Sequence, residues 1–306
     1  MRILNFGSLN VDHVYEVEHF VEPGETLSSK GLFTNCGGKG LNQSIAAQKA
    51  GNTVVHAGLI GAGGEMLREK LAESGVDTSL LKDHESTAGH AIIQVNQGGQ
   101  NCILLYGGTN QLLTRDYIDE VFDVFGAEGM ILLQNETNEI GYIMEVAHQR
   151  GLQIALNAAP MNEKVLAYPL HLLDWLIVNE VEGRQIAGCE SDDEILPALK
   201  EKYPEVKVLL TLGSKGAICH AEGKTCTIGT YPVDVVDTTA AGDTFTGYFL
   251  YGVINGKAIE ESLLLATTAS TLAIGVKGAS DSVPRKAEVD EAIESKRFGI
   301  LEIKTV

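Results

Sequence analysis

From about residue 111 onward, the sequence alternates between short apolar runs and longer amphipathic segments, and this rhythm restricts the possible folds more than any other feature. The apolar runs have the length of buried strands, and the segments between them have helical spacing. Strands that alternate with helices of this length predict a mostly parallel β-sheet with helices on both faces. The predicted fold class is therefore α/β.

Several individual elements are assigned from the same spacing. A helix is predicted from Asn42 to Lys49, and two apolar helices are predicted after Gly242. The segment EKVLAYPLHLL (residues 163–173) is predicted to be one further helix, and VDVV (residues 233–236) is predicted to be a strand.

The N-terminal third contains strands without intervening helices. Residues 88–106 form two alternating runs around Asn96–Gly99, which is a β-hairpin signal. Together with VYEVEHF (14–20) and LSSKGLFTNC (27–36), this hairpin predicts a small β-sheet apart from the main sheet. We therefore expect a single domain over residues 1–306, with lid strands inserted from about 13–35 and 88–107.

The charge balance bears on the possible partners. A net charge of −18 repels phosphate backbones and anionic membranes, so neither nucleic acid nor a membrane is an expected partner. No apolar run is long enough for a signal peptide or a membrane span, which predicts a cytoplasmic location. The five cysteines are scattered and the eight histidines form no HxxxH pair, so free thiols are expected rather than a zinc site.

Polar residues follow several predicted strands, at the sheet edge where open α/β folds bind ligands. They are Asn10 and Asp12, Asn135 and Glu136, Asn179 and Glu182, and Thr211, Gly213 and Ser214. Any one of them alone is more typical of a helix cap or a turn. Their shared position at one edge favours a ligand site.

The glycine-rich stretch GGKGLNQ (residues 37–43) is similar to a phosphate loop, but no Walker motif occurs in the chain. Its glycines allow the backbone to approach a small polar ligand closely, with Lys39 and Asn42 as hydrogen-bond donors. The run GAGGEM (61–66) lacks the last glycine of a dinucleotide-binding motif. A small polar ligand is therefore favoured over a dinucleotide.

In DTTAAGDTFTG (237–247), a helix is predicted to begin near Ala241, Gly242 and Asp243. Its unpaired N–H groups and the positive end of its dipole would attract an anion such as a phosphoryl group. Asp243 could then act as a general base for an attacking hydroxyl. The simpler alternative is that Asp243 only compensates the helix dipole.

Taken together, these motifs resemble the ribokinase family of sugar kinases over essentially the whole chain. The shared signatures, in the family's order, are GSLNVDH, PGET (23–26), GGKGLNQ, NEVE (179–182), TLGSKG (211–216) and DTTAAGDTFTG. The resemblance implies that Asp243 activates the primary hydroxyl of a sugar, while the amides of Ala241, Gly242 and Asp243 stabilise the transferred phosphoryl group.

The resemblance also implies roles for the remaining candidate residues. Sugar hydroxyls would be held by Asn10, Asp12, Gly38, Lys39, Asn42 and Glu136. Asn179 and Glu182 would organise Mg²⁺ and the phosphates of ATP, and Thr211, Gly213 and Ser214 would line the nucleotide site. A monovalent cation, typically K⁺, would be bound by Asp237 together with Thr239, Ala273, Val276, Gly278 and Ser282. The alternative for Asp237 is that it only caps a turn.

The implied activity is ATP-dependent phosphorylation of the primary hydroxyl of a pentose such as D-ribose, by a homodimer that pairs through its lid strands. Residues 107–110, with the sequence GGTN, depart from the family's usual AGAN-like run. A ketohexose, deoxyribose or a nucleoside therefore stays open as the acceptor. A sugar-binding protein without catalytic activity is a further alternative, although such a protein would not need the carboxylate of Asp243.

Overall fold

A computed structural model describes residues 1–306, which form two β-sheets and nine α-helices. The strands are β1 Arg2–Phe6, β2 Asn10–Glu16, β3 Gly31–Gly37, β4 Thr53–Ala62, β5 Leu81–Thr87, β6 Gly89–Val95, β7 Asn101–Tyr106, β8 Met130–Gln134, β9 Gln153–Asn157, β10 Trp175–Asn179, β11 Lys207–Thr211, β12 Ala217–Ala221, β13 Lys224–Ile228 and β14 Ile303–Thr305. The helices are α1 Lys39–Lys49, α2 Glu65–Glu73, α3 Arg115–Phe125, α4 Ile140–Gln149, α5 Glu180–Ala187, α6 Asp192–Lys202, α7 Ala241–Ile254, α8 Ile259–Ile274 and α9 Lys286–Glu294.

The large sheet has ten strands in the order β14-β13-β12-β11-β10-β9-β8-β1-β4-β5. All pairs from β5 to β11 are parallel, whereas β12, β13 and β14 continue the sheet in antiparallel pairs. The predicted α/β fold with a mostly parallel sheet is confirmed.

Helices cover both faces of this sheet, and the central strands are apolar on both sides as a result. Neighbouring residues Ile3 and Leu4 are both fully buried, but they belong to two separate hydrophobic clusters. The cluster around Ile3 includes Tyr248 and Phe249 of α7, and the cluster around Leu4 includes Phe122 of α3. Side chains of a strand alternate between its two faces, so apolar runs such as WLIV (175–178) are expected wherever both faces are buried.

The second sheet has four strands in the order β3-β2-β6-β7 and includes the hairpin predicted around Asn96–Gly99. Its strands lie within residues 10–37 and 89–106, close to the predicted lid segments. β2 pairs with β6 in parallel and with β3 in antiparallel orientation. Many of its apolar side chains are exposed, among them Phe33 at 52% and Leu104 at 68%.

The prediction of one helix over residues 163–173 is wrong. The segment forms two short 3₁₀ turns, Glu163–Ala167 and Leu170–Leu172. Tyr168 between them is extended, with φ −72° and ψ 151°. Pro169 explains the break, because it donates no N–H and sterically disfavours the helical conformation of the residue before it.

The predicted strand at residues 233–236 is also wrong. Val235 and Val236 are exposed, and the amide of Val236 donates to the carbonyl of Ile274 at 2.8 Å instead of joining a sheet. β13 pairs with β12 on one side and with β14, near the C terminus, on the other. Because β14 supplies the backbone hydrogen bonds that this edge of β13 can form, no position remains for residues 233–236.

The helix predicted from Asn42 begins three residues earlier, at Lys39. No helix of the structure is both long enough and apolar enough to cross a lipid bilayer.

Candidate active site

Asp243 lies in the first turn of α7, and its carboxylate is buried. Two amide groups from α1 hold it: Asn42 Nδ2 donates to Oδ2 at 3.0 Å, and Gln43 Nε2 donates to Oδ1 at 2.9 Å. Each carboxylate oxygen therefore has one fixed donor. Such paired donors hold the carboxylate plane in one orientation.

The approach of α1 to α7 depends on a glycine at their crossing. A Cβ atom at Gly247 would lie 2.5 Å from the amide nitrogen of Ala47 and 2.6 Å from the Cβ of Ala46. Any side chain at this position would push the two helices apart. Gly247 therefore allows Asn42 and Gln43 to reach Asp243.

The start of α7 leaves two backbone amides available to a ligand. The N–H of Ala241 donates to the carbonyl of Thr238 at 3.2 Å and is therefore already engaged, unlike the free amide predicted at this position. The N–H groups of Gly242 and Asp243 have no intrahelical acceptor, as is usual in a first turn, and no other protein acceptor. A Cβ atom at Gly242 would meet no atom within 4 Å, so the approach to these amides is open.

The residue before α7, Ala240, has a left-handed backbone with φ 59°. This conformation is unfavourable by about 1–2 kcal/mol for an L-residue with a side chain. Such strain is common at ligand-binding sites, where the surrounding fold imposes it. At this position it turns the chain so that α7 begins with its amides facing the cavity described below.

The glycine-rich loop brings a cation and a second carboxylate to the same site. Gly38 has φ 95°, and a Cβ atom there would lie 2.9 Å from the carbonyl oxygen of Ser8. The backbone N–H of Lys39 donates to Glu136 Oε2 at 3.0 Å, and the Ser8 hydroxyl donates to the same oxygen. Glu136 thereby fixes the loop, whose conformation requires glycine at residue 38.

Lys39 is the cation of this site. Burial by itself lowers the pKa of Lys39, but the carboxylates of Asp243, Glu136 and Glu182 outweigh it and raise that pKa above its ordinary value. The side chain is therefore charged near neutral pH. Lys39 supplies the local positive charge that an anionic ligand needs on a protein with a net charge of −18.

Asp12 on β2 lies close to Glu136. Burial, together with the negative charge of Glu136, raises the pKa of Asp12 to about 7. Its carboxylate packs over Gly37, where an added Cβ atom would lie 2.0 Å from Oδ2. A half-buried carboxyl that titrates near neutral pH is typical of a ligand site.

Asn10 is buried at the start of β2, and Asn110 fixes its side chain. Asn110 Nδ2 donates to Asn10 Oδ1 at 2.8 Å, and Asn110 Oδ1 accepts from the amide of Leu9 at 2.9 Å. Asn110 belongs to the GGTN run that departs from the family pattern. Its contribution was missed, because the sequence does not show that residues 10 and 110 are neighbours.

Asn179 and Glu182 form a capping box at the start of α5. Glu182 Oε2 accepts from the backbone N–H of Asn179 at 2.8 Å, and Glu182 Oε1 accepts from the side-chain Nδ2 of Asn179 at 3.0 Å. Burial is the main reason that the pKa of Glu182 is raised, although the Asn179 amide and Lys39 act against it. Both residues therefore have a local structural role and also face the ligand cavity.

A cavity of about 200 Å³ lies between Lys39, the capping box of α5 and the start of α7, and its walls do not include Asn10, Asp12, Asn42 or Glu136. Its walls include Lys39, Asn179, Glu182, Thr211, Gly242 and Asp243. Gly213 and Ser214 lie beside it in an exposed 3₁₀ turn that follows β11. A larger cavity of about 450 Å³ elsewhere shares Val276 and Ser282 with the predicted cation segment but contains none of the residues around Asp243. The smaller cavity is the one that combines a carboxylate, a cation and free amides.

Asp237 lies in the loop before α7. Thr239 donates to its Oδ1 from the amide at 2.9 Å and from the hydroxyl at 2.6 Å, and the amide of Gly278 donates to Oδ2 at 3.0 Å. Burial raises the pKa of Asp237, but these hydrogen bonds and the charge of Lys277 outweigh it and lower that pKa below its ordinary value. Asp237, Thr239 and Gly278 are therefore in contact, and Asp237 is ionised.

The other predicted cation ligands are engaged within their own segment. The carbonyl of Ala273 accepts from the amide of Val276 at 3.1 Å, and the hydroxyl of Ser282 donates to the carbonyl of Ala279 at 2.8 Å. A carbonyl oxygen has a second lone pair, so the bond at Ala273 leaves room for a cation.

Comparison with known proteins agrees with this architecture. The sequence profile of the pfkB family carbohydrate kinases matches residues 2–286. The chain belongs to this family. Within the family, it is 32% identical over 301 residues to the ribokinase of Haemophilus influenzae, covering 94% of this chain and 97% of that protein.

Two solved ribokinase structures are also similar. The Cryptococcus neoformans ribokinase in complex with ADP has a TM-score of 0.83 and 34% identity, with 95% of this chain and 99% of the other covered. The Arabidopsis thaliana ribokinase complexed with ribose and ATP has a TM-score of 0.84 and 30% identity, with 96% and 98% covered. The resemblance to the ribokinase family is thus confirmed.

Proposed function

We propose that this protein is an ATP-dependent carbohydrate kinase that transfers the γ-phosphoryl group to the primary hydroxyl of a pentose, converting D-ribose to ribose 5-phosphate. The observation that carries the proposal is the buried carboxylate of Asp243, held by two amide donors beside the free amides of Gly242 and Asp243. The similar Arabidopsis thaliana ribokinase was solved in complex with ribose and ATP, and we propose the same two substrates for this protein.

In this reaction, the carboxylate of Asp243 accepts the proton of the attacking hydroxyl, which increases the nucleophilicity of the oxygen. The amides of Gly242 and Asp243 stabilise the charge that develops on the transferred phosphoryl group. Lys39 adds a positive charge at the same cavity. Phosphoryl transfer requires mainly such positioning and electrostatic stabilisation.

The sugar is held by the polar groups around the glycine-rich loop: Asn10, Asp12, Gly38, Lys39, Asn42 and Glu136. Carboxylates accept hydrogen bonds from sugar hydroxyls, and the Lys39 ammonium donates to their oxygens. The nucleotide occupies the opposite side of the cavity, near Thr211, Gly213 and Ser214.

Mg²⁺ would be held near Asn179 and Glu182 through water and the phosphates of ATP, and it would neutralise charge on those phosphates. The residues fit this role, because Glu182 is a carboxylate that faces the cavity. No three His, Cys, Asp or Glu side chains converge to hold a metal ion. Mg²⁺ binding does not require such a cluster, since this ion keeps several waters and uses one or two carboxylates.

A monovalent cation such as K⁺ would be bound by Asp237 and the oxygens of Thr239, Ala273, Val276, Gly278 and Ser282, and it would neutralise charge behind the start of α7. The donor set consists of oxygens and includes an ionised carboxylate, which suits a hard cation. Asp237 also caps its own turn.

The four-stranded sheet would act as a lid over the sugar within a single domain of residues 1–306. It would also form the interface of a homodimer. The exposed apolar side chains of β7, Ile103 at 56%, Leu104 at 68% and Leu105 at 45%, support an interface on this sheet. We further propose that the enzyme is cytoplasmic, as the sequence predicts.

The test is a panel of sugars and nucleosides with ATP and Mg²⁺, with and without K⁺. D-ribose should give the highest kcat/KM, and K⁺ should increase the rate. A higher kcat/KM for deoxyribose, a ketohexose or a nucleoside would assign a different acceptor to the same site. If no acceptor is turned over, the kinase assignment is wrong and a sugar-binding protein becomes the better reading.

A further inference from the structure

Five polar side chains form a hydrogen-bonded chain that leads from Asp243 into the core. They come from three strands and one helix, and each has an exposed fraction of 0%: Gln43, Ser44, Gln134, Asn5 and His56. Gln43 donates to Asp243, and Gln134 donates to both Gln43 and Asn5. Ser44 then connects Asn5 with His56. The chain ends at the carbonyl oxygen of Gly7.

The two ends determine the direction of every hydrogen bond. The carbonyl of Gly7 can only accept, so His56 Nε2, 3.1 Å away, carries the proton. Burial lowers the pKa of His56 to about 4, which keeps the ring neutral near neutral pH, and Nδ1 therefore accepts from the Ser44 hydroxyl at 2.8 Å. Ser44 in turn accepts from Asn5 Nδ2 at 2.8 Å.

The carboxylate of Asp243 at the other end also only accepts, so one member of the chain must donate in both directions. That member is Gln134, whose Nε2 lies 3.2 Å from Asn5 Oδ1 and 2.8 Å from Gln43 Oε1. Its own Oε1 is buried without a partner. An unpaired buried carbonyl destabilises a fold, so apolar side chains would serve stability better at these positions.

We propose that Gln43 and Gln134 are positioning residues for the phosphoryl-transfer reaction, which fix the orientation of the Asp243 carboxylate. Gln43 donates to Oδ1 of Asp243, and Gln134 prevents the Gln43 amide from rotating because it donates to the Gln43 oxygen. Without Gln134, Gln43 could present its oxygen to the carboxylate and repel it. This inference rests on the proposed role of Asp243 as the base.

The test compares three substitutions of the same kind, each replacing an amide by an apolar side chain of similar length. Gln43→Met removes the direct donor to Asp243, and Gln134→Met removes the donor that orients Gln43. Gln48→Met is the matched control, because Gln48 lies on the same helix and accepts from the amide of Val54 at 3.0 Å, with no connection to Asp243. The kcat, the KM for the sugar and the thermal stability are measured for each.

Gln43→Met should lower kcat roughly 10-fold, with the KM for the sugar changed by less than about threefold. Gln134→Met should act in the same direction with a smaller effect, and Gln48→Met should leave both quantities unchanged. The charged groups that face Asp243, namely Lys39 with Glu136 and Glu182 beyond it, are the same in all variants.

The proposal is overturned if the folded Gln43→Met and Gln134→Met variants show the same kcat and the same KM as Gln48→Met, since a purely structural network would lower the thermal stability without lowering the kcat of the folded enzyme. If Gln43→Met does not fold, Gln134→Met decides, because it keeps the direct contact with Asp243. Wild-type protein that turns over no acceptor refutes the proposed function and the inference with it. Wild-type turnover together with an unchanged kcat in both variants refutes the inference alone.

Discussion

Replacing Asp243 by Asn should abolish most of the catalysis while leaving the fold almost unchanged. The substitution replaces one carboxylate oxygen by an amide NH2 group, which needs a hydrogen-bond acceptor. In the wild type, each oxygen of Asp243 faces a donor instead, from Asn42 or from Gln43. Gln43 cannot provide an acceptor, because its oxygen already accepts from Gln134 at 2.8 Å. Asn42 can rotate its amide, because its Oδ1 has no partner to lose; the NH2 group then takes the unpaired buried position, so one unpaired group replaces another.

The magnitudes follow from this geometry. After rotation of Asn42, both contacts of residue 243 are restored, so the free energy of unfolding should change by less than about 1 kcal/mol. The base, in contrast, is lost completely. General-base catalysis contributes about 10²–10⁴-fold, which corresponds to roughly 2.7–5.5 kcal/mol of transition-state stabilisation.

The assay is steady-state phosphorylation of ribose, combined with calorimetric measurement of sugar binding and with thermal unfolding. We expect kcat to fall by at least about 100-fold, with sugar affinity within about tenfold of wild type. An Asp243→Asn enzyme with wild-type kcat would refute the assignment of the base. A large loss of thermal stability would refute the rotation of Asn42.

Three further predictions concern Asp12, the helix crossing and the lid. The pKa of Asp12 is raised to about 7 in the folded protein, so the protonated carboxyl of Asp12 stabilises the fold relative to its ionised form. This contribution to the free energy of unfolding is complete below about pH 4 and is lost as the pH rises through about 7. The melting temperature of wild type should therefore fall relative to Asp12→Asn between these values, and parallel curves would contradict this. Gly247→Ala should destabilise the fold by about 1–3 kcal/mol, because the added methyl group separates α1 and α7. Gly229→Ala is the control, since an added Cβ there meets no atom within 4 Å. Equal melting temperatures of the two variants would show that α1 and α7 accommodate the methyl group without loss of stability. Leu104→Lys should convert a dimer to a monomer in light scattering, and a persistent dimer would place the interface elsewhere.

Much of this fold is predictable because its signals are local. Strands buried on both faces consist largely of apolar residues, as in RILNF and MILLQ, and this composition can be read directly from the sequence. The break at Tyr168 was also predictable in principle, because Pro169 is a local signal that outweighs the apolar spacing around it. The error at residues 233–236 is different, since it depends on a strand more than sixty residues away, β14.

The candidate site likewise contains some residues that local sequence patterns predict and others that only the tertiary structure brings together. Asp243, Lys39 and Asn42 were found from the sequence, since a helix start with small residues and a glycine-rich loop are local patterns. The contacts of Gln43 with Asp243 and of Gln134 with Gln43 were missed, because each joins residues that are far apart in sequence. Asn110 was singled out only as a departure from a pattern, not as the residue that fixes Asn10.

The sequence by itself determined the α/β class, the hairpin around Asn96–Gly99 and the chemical groups at the candidate site, because backbone propensities and side-chain types act over a few residues. The tertiary structure decided which of these groups meet. Asn42 and Asp243 are about two hundred residues apart, and they come into contact only because α1 and α7 cross closely at Gly247. The direction of the hydrogen bonds from Gly7 to Asp243 likewise depends on five elements packing together, since each donor is fixed by the acceptor that the next element provides.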